Sequence, residues 1–68
     1  SRCQGKSSWP QLVGSTGAAA KAWIERENPR VRAVIIKVGS GATKDFRCDR
    51  VRVWVTERGI VARPPTIG

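Results

Sequence analysis

The sequence predicts an α+β domain in which one helix packs on a small sheet and leaves a long loop exposed. Three observations lead to this prediction. Residues 17–27 place apolar side chains at helical spacing, two later segments are rich in β-branched residues, and residues 39–49 join those segments without an apolar pattern. With 68 residues, we expect one domain, residues 1–68, which buries only about 60% of its unfolded surface.

The helix has clear start and end signals. Ser15 or Thr16 can cap it, and three alanines of high helix propensity follow. Pro29 forces the residue before it out of helical geometry, so the helix is predicted over residues 17–27. The side chains expected to face the core are Ala20, Trp23 and Ile24, and those expected to face water are Lys21, Glu25 and Arg26.

Two strands are predicted after the helix. Residues 31–38 are rich in β-branched side chains, and their continuous apolar run, 33–36, indicates burial on both faces. Residues 50–55 alternate strictly, with three valines on one face and with Arg50, Arg52 and Trp54 on the other.

After the second strand, Glu57-Arg58-Gly59 predicts a turn, and residues 60–62 predict a short return strand. Pro64-Pro65 is then expected to block further strand pairing and to finish an edge. From the residues alone, the two main strands are expected to be antiparallel, because a parallel pair usually needs about a dozen or more connecting residues. The connection at residues 39–49 lies at that limit.

Composition restricts the possible functions. A net charge of +8, from 13 basic and 5 acidic side chains, favours anionic partners, including an acidic protein pocket, nucleic acid or an anionic membrane. No histidine is present and no serine or cysteine stands beside a recognisable base, so an enzyme is not expected. No apolar run approaches the ~20 residues of a membrane span. No signal peptide heads the chain, so a secreted form is expected to be the mature one.

Cys3 and Cys48 are the only cysteines, and a domain of this size usually needs a covalent staple. Without histidine, two cysteines cannot build the usual closed zinc site, and we expect neither a metal nor another cofactor. A disulfide is the simplest interpretation, and two buried free thiols in a reducing compartment are the alternative. Trp9 is expected in the core, with stacking on nucleic acid as its alternative role.

Arg50 and Arg52 need hydrogen-bond acceptors, because a guanidinium has five donors and no acceptor. The loop offers the Thr43 hydroxyl and the Asp45 carboxylate, and the terminal Gly68 is a further candidate acceptor. Arginines that brace the loop would keep it stiff and extended. Since Lys44 lies between these acceptors, the loop would imitate a substrate of a trypsin-like serine protease, whose specificity pocket ends in an aspartate.

An ordered set of motifs covers nearly the whole chain: Gly5-Lys6-Ser7-Ser8-Trp9-Pro10, Leu12-Val13-Gly14, Ala20-Lys21-Ala22, Ile24-Glu25-Arg26, Asn28-Pro29 and, most specifically, residues 43–55. This set resembles the potato inhibitor I family of serine protease inhibitors, most of all its members from cucurbit seeds. The resemblance implies parallel main strands in a mixed sheet, the helix on the sheet face opposite the loop, and a bridge between Cys3 and Cys48.

The resemblance also implies the site. Lys44–Asp45 would be the bond presented to the protease. The loop residues in contact with the protease would be Ala42, Thr43, Lys44, Asp45, Phe46 and Arg47, and the supporting residues Arg50, Arg52 and Trp54. Phe46 has a small local cluster as its alternative role. The partner would be a trypsin-like serine protease, with no nucleic acid or membrane bound, and the protein would be a monomer that is secreted or kept in a storage compartment of a plant seed.

The chain departs from the family pattern in two places, a pair of loop residues and one residue of the helix. Gly41-Ala42 stands where relatives often carry proline and valine, so the free loop is expected to be looser than in relatives. Trp23 stands where relatives tend to have a smaller aliphatic residue. If it is buried, overpacking is expected to cost about 1–3 kcal/mol, and if it is exposed, it costs little.

Overall fold

A computed structural model describes residues 3–68. A short 3₁₀ helix, Pro10–Leu12, precedes one α-helix, α1, Gly17–Glu27. The strands are β1, Arg32–Lys37, β2, Arg50–Val55, and β3, Thr66–Ile67, and they lie in the order β1-β2-β3. The α+β architecture is therefore confirmed. In the described part of the chain, no helix is long and apolar enough to cross a membrane.

The sheet is mixed, because β2 pairs in parallel with β1 and antiparallel with β3. The antiparallel direction expected from loop length for the two main strands is wrong, and the parallel direction implied by the resemblance is confirmed. The residues between β1 and β2 return the chain to the same end of the sheet without a helix. They are enough because the two strands are direct neighbours in the sheet.

The helix begins and ends as predicted. The Thr16 hydroxyl accepts a hydrogen bond from the Ala19 amide at 3.2 Å, which satisfies one of the free amides of the first turn. At the other end, the Asn28 amide donates to the Ile24 carbonyl, and Asn28 itself has extended backbone angles.

The core lies between α1 and the sheet. Trp9, predicted to be buried, is 0% exposed, and so are Ile24, Val51 and Val53. The valines of β2 therefore point toward the helix, and the arginine face of β2 points away from it, as the resemblance implies. The buried cluster comprises Trp9, Leu12, Ala20, Ile24, Val31, Ala33, Val51, Val53, Val55 and Val61.

Burial of β1 on both faces is wrong. Val34 and Ile35 are 43% and 44% exposed, because β1 is an edge strand and α1 covers only one face of the sheet. Two helix side chains form hydrogen bonds with the open edge of β1. Glu25 accepts from the Ala33 amide at 2.9 Å, and Lys21 donates to the Ala33 carbonyl at 2.8 Å. These two side chains, expected to face water, thus satisfy backbone groups that an edge strand leaves unpaired.

The end of the chain also differs from the prediction. Ile60 and Val61 make isolated bridges, to Thr16 and Val55, rather than a strand. The third strand follows the prolines instead of ending at them. Pro65 lacks a donor, but its carbonyl accepts from the Trp9 amide at 2.9 Å, so the chain stays attached and can pair again at β3.

The N-terminal segment is held covalently. Cys3 and Cys48 form a disulfide with a Cα–Cα distance of 5.1 Å across 45 positions, which confirms the bridge. The chain-entropy model assigns about 4 kcal/mol to such a crosslink. The buried side chain of Asn28 adds hydrogen bonds to the carbonyls of Gln4 and Lys6, at 3.1 and 3.0 Å. Both sets of contacts fix this segment beside the end of the long loop.

Candidate functional site

The long loop between β1 and β2 is the most exposed part of the described chain. Residues 41–47 have no regular secondary structure, and every residue from 38 to 49 is exposed. The loop leaves β1 through a turn in which the Ser40 amide donates to the Lys37 carbonyl at 3.0 Å. Gly39 has a φ of 93° in this turn, a conformation that favours glycine.

Arg50, the first residue of β2, holds the loop from below. Its Nη2 donates to the main-chain oxygen of Asp45 at 2.7 Å, and its Nη1 donates to the Asp45 carboxylate at 3.3 Å. The remaining side of the guanidinium, Nε, donates to the main-chain oxygen of Gly68 at 2.7 Å. The Arg50 side chain is only 17% exposed, so it fills the space between the loop and the sheet.

Arg52 holds the loop one residue before Lys44. Its Nη2 donates to the Thr43 hydroxyl at 2.7 Å and lies 3.6 Å from the Asp45 carboxylate. The two arginines therefore restrain both neighbours of Lys44. These contacts agree with the expectation that the arginines find their acceptors in the loop.

The Asp45 carboxylate is strongly stabilised in its charged form. Hydrogen bonding from the Thr43 hydroxyl, then from the Arg50 guanidinium, lowers the pKa of Asp45 from 3.8 to about 2. The Thr43 hydroxyl thus accepts from Arg52 and donates to Asp45, so the three groups form one network. Asp45 is therefore ionised at neutral pH and stays charged well below the pH at which an ordinary aspartate takes up a proton.

Lys44 differs from its neighbours. Its side chain is exposed, and within residues 3–68 it has no hydrogen-bond or ion-pair partner. The other cation of the loop, Arg47, pairs with Asp49 through two contacts of 2.8 Å. Phe46 is 64% exposed, and its ring edge lies beside Gly68. The free cation of the loop is therefore located between its two restrained residues.

The size of the Trp54 ring favours packing in the core, but Trp54 lies outside the buried cluster. It is half-buried on the same face of β2 as the arginines, and the Arg63 guanidinium lies 4.4 Å from its ring centroid. The partner, Arg63, was missed by sequence reasoning, because no local pattern connects two residues in different strands and loops. A supporting role of Trp54 for the loop stays a prediction.

The comparisons with known proteins agree on one family. The model of the Potato inhibitor I family matches residues 2–68, and the chain belongs to this family. A Momordica charantia protein named "Glu S.griseus protease inhibitor" is 87% identical over the full length of both chains. An "Inhibitor of trypsin and hageman factor" from Cucurbita maxima is 63% identical, again over the full length of both. Among solved structures, the crystal structure of bitter gourd trypsin inhibitor matches with a TM-score of 0.96 and 98% identity, with both chains fully covered.

Proposed function

We propose that this chain inhibits trypsin-like serine proteases by presenting the Lys44–Asp45 bond as a substrate that is held in place. One observation carries the proposal: the unpaired, exposed Lys44 stands between Thr43 and Asp45, and both neighbours are hydrogen-bonded to arginines of β2. The inhibitory domain comprises residues 1–68.

Binding follows from this geometry. Residues 42–47 lie across the protease cleft, and the Lys44 ammonium enters the specificity pocket to meet its aspartate. Because the arginines already restrain the loop, little conformational entropy is lost on binding, and a modest interface can bind tightly.

Resistance to cleavage follows from the same contacts. When the catalytic serine attacks the Lys44 carbonyl, the C–N bond breaks and the Asp45 amine becomes the leaving group. Arg50 holds Asp45 by its main-chain oxygen and its carboxylate, so the amine stays close enough to attack the acyl-enzyme and re-form the bond. The Cys3–Cys48 disulfide joins the two sides of the bond, so that a cleaved molecule stays in one piece.

The charge of Lys44 decides the target class. The 87% identical relative is named for a Glu S.griseus protease and the 63% identical relative for trypsin and Hageman factor, so targets differ within close relatives. A lysine ammonium fits a pocket that ends in an aspartate, and a pocket built for a carboxylate would repel it.

The alternative function, a basic module for nucleic acid or an anionic membrane, receives no support from the relatives named above. Trp9, the aromatic residue considered for base stacking, is fully buried. The protein acts as a monomer on its protease and is secreted or kept in a seed storage compartment, and the cucurbit origin of its relatives supports the plant source of this proposal.

Incubation with a catalytic amount of trypsin, followed by mass spectrometry, tests the proposal. We expect trypsin to be inhibited. The cleaved protein should weigh one water more than the intact protein, because the disulfide keeps its two fragments together. After reduction, this product should separate into fragments 1–44 and 45–68. Cleavage at another bond, with Lys44–Asp45 intact and trypsin still inhibited, would refute the assignment.

A further inference from the structure

A basic cleft lies beside the end of the loop that follows the Lys44–Asp45 bond. It has a volume of about 320 Å³ and is formed by residues 29–32, Val34 and residues at the end of the loop. Its lining includes four arginines and a single acidic residue, and these are Arg30, Arg32, Arg47, Arg50 and Asp49. The cleft is therefore strongly positive.

Two of these arginines lack a side-chain hydrogen bond or ion pair among the described residues, although the charge of Arg32 attracts the Glu25 carboxylate at longer range. Arg47 pairs with Asp49, and Arg50 with Asp45 and Gly68. In the part of the chain that the structure describes, the exposed side chains of Arg30 and Arg32 have neither a hydrogen-bond nor an ion-pair partner. Their ten donors are available to an outside acceptor.

The position of Arg32 brings two cationic side chains together. Arg32 lies directly opposite Arg50 in the parallel pairing of β1 and β2, on the same face of the sheet. Like charges at this spacing repel each other, and Asp45 beside Arg50 and Glu25 near Arg32 already reduce that repulsion. An anionic group bound in the cleft would remove this repulsion.

The cleft is continuous with the proposed protease-binding loop, because Arg47 belongs to both. When a protease holds residues 42–47 in its active site, the rim of that active site lies against these arginines on the side of the residues that follow the cleaved bond. We infer that the basic cleft is a second docking surface, which binds a carboxylate-rich segment of the target protease at that rim. The inference rests on the proposed function for the identity of the partner, and on the cleft's own charge for its chemistry.

Arginine is suited to this role. Its planar guanidinium binds carboxylates through two parallel hydrogen bonds, and complementary charge at the rim of an interface mainly raises the association rate. Val34, 43% exposed in the cleft, provides an apolar wall for the carbon chains of glutamate side chains. Lys44 would then select the pocket of the protease, and the cleft would select among proteases that share this pocket.

A fluorescent hexaglutamate peptide tests the cleft without a protease, at an ionic strength of about 0.01 M, where the Debye length is ~30 Å. In the Arg30→Gln/Arg32→Gln variant we expect the dissociation constant of the peptide to rise about fivefold, the loss of two partly exposed ion pairs. The control variant, Lys37→Gln/Arg58→Gln, also removes two charges, one at the end of β1 and one in the turn after β2. It should change the dissociation constant of the peptide by less than about twofold. Equal losses in both variants, or no binding to the unaltered protein, would overturn the inference.

Displacement by trypsin tests the partner. Trypsin bound at the loop should release the peptide from the unaltered protein, and it should leave the peptide on a Lys44→Ala variant, which keeps the cleft but lacks the proposed specificity residue. Retention of the peptide in a trypsin complex would show that the protease does not cover the cleft and would overturn the docking role. If trypsin is not inhibited at all, the proposed function fails, whereas the peptide comparison still decides whether the cleft binds carboxylates.

Discussion

Arg50 holds Asp45 through two different groups, donating to its main-chain oxygen over 2.7 Å and to its carboxylate over 3.3 Å. The contact joins the residue after the proposed cleavage point to the first residue of β2. Because the third side of the guanidinium is bound to the main-chain oxygen of Gly68, the plane of the group is fixed on three sides. A lysine at this position could supply the charge but not this fixed fork of donors.

Replacement of both Arg50 and Arg52 by alanine is expected to weaken trypsin inhibition by at least about 100-fold. Each arginine provides charge-assisted hydrogen bonds, and the loss of one at each site costs about 1.5 kcal/mol or more. The variant should also be cleaved faster, because the Asp45 amine is no longer held. The inhibition constant and the time course of Lys44–Asp45 cleavage measure both effects.

The matched control for this experiment is the Arg26→Ala/Arg58→Ala variant. It removes the same net charge from two exposed positions, in α1 and in the turn after β2. We expect its inhibition constant to stay within about twofold of the unaltered protein. If the control loses as much inhibition as the loop variant, net charge and not bracing is responsible.

Replacement of Lys44 by alanine should reduce trypsin inhibition by about 10³-fold or more, since a residue buried at the centre of an interface contributes about 4 kcal/mol or more when it dominates binding. Thermal stability should not change, because the exposed Lys44 side chain has no partner in the described structure. Lys44→Arg should retain most of the inhibition, and Lys44→Glu should move it toward a glutamate-specific serine protease. Full-strength trypsin inhibition by Lys44→Ala would contradict the assignment.

The elements that sequence predicts well here are those with local causes. The helix bounds follow from the cap at Thr16 and from the proline at position 29, and the bounds of β2 follow from its strict alternation. The face of Arg50 and Arg52, and the acceptors in the loop, could be predicted for the same reason. A pattern of period two and an unsatisfied donor are both visible without a structure.

The features that sequence could not predict depend on distant parts of the chain. β3 has only two residues, and it is a strand only through its antiparallel pairing with Val51 and Arg52 of β2. The parallel direction of β1 and β2 is decided by where the whole chain packs, and loop length alone favoured the wrong answer. Trp23 fits helical spacing, but it is 48% exposed and its indole N–H donates to Glu27 rather than packing in the core.

The loop network should respond to acid between pH 4 and pH 2. The pKa of Asp45 is about 2 in the folded protein and ordinarily 3.8. Asp45 therefore contributes stability that is fully present above its unfolded-state pKa. This contribution is lost as pH falls through the folded value, when the carboxyl takes up a proton. NMR titration of the Asp45 carboxyl, with the amide signals of Thr43 and Lys44, measures the transition.

Two variants separate this effect from general acid unfolding. Asp45→Asn should abolish the change of the loop signals in that window. Asp49→Asn should leave it in place, although the hydrogen bond from Arg47 lowers the pKa of Asp49 as well. An Asp45 carboxyl that titrates near 4 would show that the network does not hold in solution.

Gly41 and Gly39 form a matched pair for loop stiffness. Gly41 avoids positive φ, and a Cβ there would meet nothing within 4 Å, so Gly41→Ala should stabilise by about 0.4–1 kcal/mol and slow cleavage of the loop. Gly39 has equal space but a φ of 93°, so Gly39→Ala should destabilise by about 1–2 kcal/mol. Urea unfolding with the disulfide intact measures both. Equal effects would mean that the two backbone conformations do not differ as described.

Glu27 joins three parts of the molecule through one oxygen atom. Its Oε1 accepts from the indole nitrogens of Trp9, at 2.9 Å, and Trp23, at 2.8 Å, and from the Lys6 ammonium at 3.3 Å. Glu27→Ala should lower the free energy of unfolding by about 1–3 kcal/mol, because the N–H of the buried Trp9 loses its acceptor.

A conservative variant and a distant one complete the test of Glu27. Glu27→Gln keeps an oxygen in place and should lose less than Glu27→Ala, and Glu57→Ala, in the exposed turn after β2, should change stability by no more than about 0.5 kcal/mol. Trypsin inhibition should be the same in all three folded variants, since Glu27 is on the helix side of the sheet and the loop on the other. Urea unfolding and the inhibition constant separate the two roles: loss of inhibition in folded Glu27→Ala would mean that the helix side also positions the loop.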